Sequence, residues 1–184
     1  MGVKDKVLLA AEELFSEKGY ENTSIQDIID KAEVSKGGLY HHFESKEKIL
    51  DALLQDFAIK MRKNFEAVIK NEKNLTLQLA FSKYGKSKEQ LPEHLQDLYL
   101  RFLFNPREIL IREKFLHYIR EEIVIPMTEI INKLTDEQYP KEFAYILIGL
   151  TEIQTRLPLQ LLKDKDFTIN YGKLLQDTLG RLIT

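Results

Sequence analysis

Cysteine is absent from this chain of 184 residues, which removes disulfides and thiolate metal sites and fits a reducing cytoplasm. No apolar run approaches the roughly 18 residues that a membrane-spanning helix needs. The amino-terminal segment opens on charge and then turns amphipathic, unlike a signal peptide. A cytoplasmic protein with no membrane partner is the expectation. A basic excess is missing too, since the formal net charge is −2 at pH 7. Residues 1–50 hold seven lysines, no arginine and ten acids, a net of −3, and the rest of the chain carries +1. Any nucleic-acid surface must therefore be a local patch rather than a basic domain. What is present is ordinary globular material, 43% hydrophobic and 30% charged, long enough for one large domain or two small ones.

Strand alternation is also lacking; the periodic stretches have helical spacing. From Lys4 to Lys18 the apolar stripe is Val7, Leu8, Ala11, Leu14 and Phe15, closed by Gly19 where positive φ can end a helix. Thr23 or Ser24 caps a short second helix, with Gln26 or Asp27 as the reciprocal partner and Ile25, Ile28, Ile29 and Ala32 as its apolar face. After a turn at Glu33 and Val34, Ser35 starts a third helix that ends near His42, because Ser45 is a further cap. A long pattern runs from Lys46 to Ile69 and stops at "KNEKN", 70–74. Stripes follow at Leu75–Tyr84, at Leu95–Phe102 and at Ile109–Leu134, the last predicted to kink or break at Pro126. "YPKEF" opens a helix with Pro140 in its first turn, running to Leu157, and a final helix covers about 167–182. The predicted class is all-α, with a helix-turn-helix domain at 1–55 (the motif itself about 24–43) and a larger helical domain at 56–184.

The segment "VSKGGLYHHFESKEKIL", 34–50, carries the chemistry. Two short helices joined by about three residues and braced on both sides form a helix-turn-helix arrangement. A recognition helix needs its N-terminal end close to the major groove. Gly37 and Gly38 each cost roughly 1 kcal/mol of helix stability relative to alanine. They also remove side chains that would hold the backbone away from phosphates or base edges. Ser35 caps the helix, and Lys36 supplies charge and a long donor. Tyr40 can donate to a phosphate or pack on a thymine methyl, and His41 or His42 can reach backbone or base. Leu39 and Phe43, four apart, form the inward face, and Lys46 stands at the next helix start for a flanking phosphate.

With the preceding "AAEELFSEKGYENTSIQDIIDKAE", these residues resemble the DNA-binding domain of the TetR family of bacterial transcriptional regulators over about residues 5–55. The resemblance implies a homodimeric repressor on double-stranded operator DNA, with a variable C-terminal helical domain for dimerisation and a small-molecule effector. Carried over residue by residue, it implies DNA contacts at Thr23, Ser24, Ser35, Lys36, Gly37, Tyr40, His41 and Lys46. The last two helices, about 141–157 and 167–183, are the expected dimer interface. Phe65, Tyr99, Phe102, Phe115, Tyr118 and Gln154 are candidates for an apolar or aromatic effector pocket, although any helical domain needs such residues as core. The competing reading is a module of the same fold that acts through a protein partner, and the acidic first third is its support.

No cofactor is expected. Adjacent His41 and His42 diverge by about 100° on a helix and cannot chelate together, so no metal site is expected either. Glu121, Glu122 and Glu142 have no evident acid/base partner, and no phosphate loop or Ser-His-Asp spacing supports an enzyme. Lys60, Arg62, Lys63 and Lys70 read as a solvated helix face.

Overall fold

The structure is a computed structural model and describes residues 1–70, 72–87, 90–104, 109–152 and six single residues between 166 and 178. Its elements are α1 (Val3–Lys18), α2 (Ile25–Ala32), α3 (Lys36–His42), α4 (Lys46–Ile69), α5 (Leu77–Ser87), α6 (Glu93–Phe104), α7 (Ile109–Leu134) and α8 (Pro140–Glu152). Among the described residues there is no strand, and no helix is long and apolar enough to cross a membrane. The chain divides into two compact units, one of 1–57 with 92–115, the other of 58–91 with 116–184.

In the first unit α1 buries Val7, Ala10, Ala11, Leu14 and Phe15, and Gly19 ends it at φ 88°, with its N–H donated to Phe15 O at 3.1 Å. The cap of α2 is Ser24, not Thr23: Asp27 N–H donates to Ser24 Oγ at 3.0 Å, and Ser24 N–H donates back to the Asp27 carboxylate at 2.7 Å. Ile28, Ile29 and Ala32 are buried, and Glu33 closes the helix in the left-handed region at φ 52°. Such a conformation in a non-glycine residue costs on the order of 1 kcal/mol, offset here by its N–H bond to Asp30 O at 3.3 Å. Ser35 caps α3 through Gly38 N–H at 3.0 Å, and Ser45 caps α4 through Lys48 N–H at 3.2 Å. Ile49, Leu50, Leu53, Leu54 and Phe57 of α4 complete the core of this unit together with Leu98, Phe102 and Phe115.

The membership of 92–115 in this unit has identifiable causes. Arg101 of α6 donates to the carbonyl of Ser16 near the end of α1 at 2.9 Å. Lys114 of α7 reaches Glu47 at 2.6 Å and Asp51 at 3.0 Å on α4. Phe57, Tyr99, Phe102 and Phe115 form a cluster of rings with centroids 5.0–6.0 Å apart.

The second unit packs the later part of α4 (Ala58, Met61, Phe65), α5 (Leu77, Ala80, Phe81), the later part of α7 (Ile119, Ile123, Met127, Ile131) and α8 (Ala144, Leu147, Ile148). Pro126 does not break α7, which is helical from Ile109 to Leu134. The buried side chains on both sides of the proline, Ile123, Val124, Met127, Ile130 and Ile131, outweigh the roughly 3 kcal/mol an internal proline costs. Arg62 is not simply solvated: it pairs with Glu66 at 3.1 Å and with Glu122 at 2.8 Å. Tyr145 of α8 donates to Glu121 at 2.8 Å, and Arg120 pairs with Glu152. The α8 pattern is described as far as Glu152; its predicted continuation to Leu157 lies outside the described residues.

Candidate nucleic-acid interface

Helix α3 has two unlike faces. Leu39 and Phe43 are buried, and the N–H of Phe43 donates to Leu39 O at 2.9 Å to end the helix. Lys36, Gly37, Tyr40, His41 and His42 are exposed. Tyr40, 44% accessible, has no hydrogen bond within the described residues, and Lys36 has no ion pair there. An exposed tyrosine hydroxyl and a free ammonium about one helical turn apart can meet acceptors on an approaching backbone. His41 and His42 touch each other edge to face, with centroids 5.1 Å apart.

The two glycines differ. A side-chain carbon on Gly37 would meet nothing within 4 Å, so no internal packing requires the missing side chain. One on Gly38 would lie 3.0 Å from Ser35 Oγ and 3.7 Å from the Val3 side chain, so Gly38 accommodates the cap and the start of α1. That proximity brings Lys4 and Lys6 into the neighbourhood of α3, with no ion pair among the described residues. No motif signals this, because a lysine in the first turn of an amphipathic helix reads as solvated.

Of the other residues the resemblance points to, Ser24 and Ser35 are exposed at the first turns of α2 and α3, each with its hydroxyl oxygen accepting a cap bond. Hydroxyl protons remain available to both. Asp27 is held well below its ordinary 3.8, at about 2, first by the backbone N–H of Ser24 and then by Lys18 at 3.0 Å.

Thr23 and Lys46 are placed otherwise than as free contacts. Thr23 is 1% accessible; its hydroxyl donates to Gly19 O at 2.8 Å and its N–H to Tyr20 O at 3.2 Å. Its side chain is turned into the fold, which corrects the assignment of that hydroxyl to DNA. Lys46 is half-buried, and its ammonium donates to the carbonyls of Tyr20 and Thr23, both at 2.8 Å. The same ammonium stands 4.2 Å from the Tyr20 ring centroid. Burial raises the Tyr20 hydroxyl above its usual range, with Glu47 adding to the effect.

The predicted effector residues fall in different places. Tyr99, Phe102 and Phe115 belong to the first unit, Phe65 and Tyr118 to the second, and Gln154 lies outside the described residues. Phe65, Phe102 and Phe115 are fully buried, whereas Tyr99 and Tyr118 are half-buried. His117 is exposed beside the ring of Tyr118. Of the predicted dimer segments, α8 presents an exposed Ile146 and a Gly149 with open space around it, while 167–183 lies almost wholly outside the described residues.

Residues 7–53 match the family model of bacterial regulatory proteins, tetR family. Over 54 residues the chain is 41% identical to the HTH-type transcriptional repressor KstR2 of Mycolicibacterium smegmatis, covering 29% of this chain and 26% of that protein. It is 44% identical over 54 residues to the HTH-type transcriptional regulator QacR of Staphylococcus aureus, covering 29% of each. The aligned stretch thus spans under a third of these relatives' length. In fold, the chain is similar to a TetR-family transcriptional regulator from Streptomyces coelicolor, with TM-score 0.64, 15% identity and coverage of 99% and 98% of the two chains. The capped α2, the glycine-opened α3 and the all-α body agree with these likenesses. Over residues 7–53 the chain is thus similar to the bacterial regulatory proteins of the tetR family, and in fold it is similar to solved members of that family.

Proposed function

We propose that this protein is a sequence-specific DNA-binding transcriptional regulator that uses α3 as its recognition helix. The observation that carries the reading is the division of α3: its apolar face is spent on the domain core, and Lys36, Gly37, Tyr40 and His41 stand outward around a glycine that no internal contact requires. Ser24 and Ser35 join them at the first turns of α2 and α3, and Lys4 and Lys6 extend the positive edge. Tyr40 and Lys36 position the helix on phosphates, and His41 and Tyr40 reach base edges.

The working form is a homodimer through α8 and the segment 167–183, supported by the exposed Ile146 and the open Gly149. Two copies of α3 about 34–36 Å apart would read successive major grooves of a pseudopalindrome. An apolar or aromatic effector that fits only a form with wrongly spaced helices would release the operator by its differential affinity for the two forms. Tyr99 and Tyr118, the half-buried members of the aromatic set, are the side chains to vary first.

The test is binding of the purified protein to the intergenic DNA beside its own gene, over a range of salt. A footprinted palindromic site with a steep salt slope is the expected result. Weak, sequence-blind binding would overturn the reading in favour of a module that acts through a protein partner.

A further inference from the structure

The first turn of α4 joins two parts of the chain that are distant in sequence. On one side is the α1–α2 loop, residues 19–24. Lys46 gives two of its three ammonium N–H groups to the carbonyls of Tyr20 and Thr23 and lies over the Tyr20 ring. The third N–H remains available to an acceptor outside the domain, such as a flanking phosphate. The loop leads into Ser24, whose cap with Asp27 sets where α2 begins. A displacement of α4's first turn would therefore move Lys46 and the entry to α2 together.

On the other side is the start of α7. Lys114 reaches back 67 residues to Glu47 at 2.6 Å and 63 residues to Asp51 at 3.0 Å. The two carboxylates are four positions apart, on one face of α4. Asp51 is mostly buried, its side chain 22% accessible, and it also faces Lys48 at 3.9 Å. Glu47 has no ion pair other than that with Lys114 among the described residues. Glu47 first and Asp51 second hold the Lys114 ammonium above its ordinary range, so it stays charged wherever the carboxylates are ionised.

Within α4 itself the turn has little to fix it. Lys48 N–H donates to Ser45 Oγ and Ile49 N–H to Ser45 O, both at 3.2 Å. First turns lack the intrahelical bonds of a helix interior and are prone to fray, so a tie from another helix decides how firmly this one stands.

We infer that Lys114 is a positioning residue for operator binding: through Glu47 and Asp51 it holds the first turn of α4, and with it Lys46 and the α1–α2 loop, in the place from which they meet DNA. The inference rests on the DNA-binding reading above.

A double-mutant cycle shows whether Lys114 acts through the two carboxylates. Affinity would be measured for a duplex carrying the footprinted site from the intergenic DNA beside the gene. The full-length proteins are the wild type, Lys114→Met, the pair Glu47→Gln with Asp51→Asn, and all three substitutions together. Lys114→Met alone should lose about 3- to 5-fold in affinity, the upper end of what partly exposed ion pairs supply. Added to the carboxylate pair, the same substitution should change affinity by less than about 1.5-fold, because the groups it works through are gone. The amides of Lys48 and Ile49 should exchange faster in Lys114→Met than in the wild type.

An equal loss in both backgrounds would mean that Lys114 acts on DNA by its own charge. A loss without faster exchange at Lys48 and Ile49 would mean that it only masks Glu47. Either result overturns the assignment, as does a Lys114→Met protein that binds like the wild type, and each leaves the DNA-binding reading intact. Lys114→Gln, which keeps a polar group at this partly exposed position, enters the same cycle should Lys114→Met fail to fold. A wild type without salt-steep binding to that duplex overturns both.

Discussion

Replacing Gly37 by alanine should move stability and DNA binding in opposite directions. Gly37 is the second residue of α3, its backbone is not in the left-handed region, and an added methyl meets nothing within 4 Å. The substitution therefore introduces no strain and restricts the unfolded chain, for a gain of about 0.5–1 kcal/mol. In a protein of this size that raises Tm by roughly 1–4 °C. The same methyl projects into the space that the reading assigns to the operator. Keeping the backbone from one charge-assisted hydrogen bond would cost about 1.5–3 kcal/mol, which is about 10- to 150-fold in affinity. Urea unfolding with an unchanged m-value measures the first effect, and fluorescence anisotropy with the footprinted operator measures the second. Gly38→Ala is the internal comparison, since its methyl would sit 3.0 Å from Ser35 Oγ and disturb the cap that holds α3. It should show little or no stability gain. Unaltered operator affinity in Gly37→Ala, with the stability gain present, would mean that the glycine makes no room for DNA. A loss of stability would refute the open-space argument itself.

Other expectations follow from the same contacts. Phe115→Ala should destabilise the protein by about 3–5 kcal/mol, because its ring is fully buried against Phe57, Tyr99 and Phe102; a loss under about 1 kcal/mol in urea unfolding would favour a cavity wall over core. Asp27 is stabilised as the carboxylate, so its contribution to α2 is present above its ordinary 3.8 and disappears only as pH falls toward about 2. A carboxyl titration followed by NMR should place its midpoint near 2, and a midpoint near 4 would show that the capping box does not persist in solution. Lys4→Ala and Lys6→Ala should each flatten the salt dependence of operator binding by up to about 0.9 with no change in Tm; unchanged slopes in both would remove α1 from the interface.

Much of the N-terminal architecture was legible in the sequence because its boundaries are written in local chemistry. Ser24 with Asp27, Ser35 ahead of two glycines, Ser45 after Phe43 and Gly19 at a positive φ each satisfy backbone groups only a few residues away. What was not legible depended on residues far apart in the chain. Arg101 reaches Ser16, and Lys114 reaches Glu47 and Asp51, across separations of 63 to 85 residues. Those bonds draw α6 and the start of α7 into the first unit, which no periodicity could indicate. The helical spacing of Phe102 and Phe115 identified them as apolar and inward, but spacing cannot distinguish a side chain that lines a space from one that fills it. Pro126 does not break α7 for a related reason, since a local penalty is overruled by tertiary burial on both sides. Thr23 and Ser24 were equivalent as caps until the fold gave the hydroxyl of Thr23 to Gly19.

Charge is where the bulk composition and the local surface diverge most. The first 50 residues are net −3, which on its face argues against a polyanionic partner. Yet many of these charges are occupied within the domain. Lys18 is paired with Asp27, and Lys31 with Glu13 and Glu17, while Glu47 faces Lys114. Lys46 is spent on two carbonyls, and Asp5 accepts the N–H of Gly2. The lysines of this segment without an ion pair or hydrogen bond among the described residues are Lys4, Lys6 and Lys36. They belong to the first turns of α1 and α3, which the Gly38–Val3 approach places side by side. A phosphate interacts over roughly a Debye length, about 8–10 Å at physiological salt, so it responds to this small unpaired group more than to the sum over the domain. An acidic domain can therefore carry a basic edge, and the size of that edge bounds its salt slope: three uncommitted lysines per protomer allow about 2.7 units, or about 5.4 for a dimer. A measured slope well above that would require basic groups beyond these three lysines to reach the DNA.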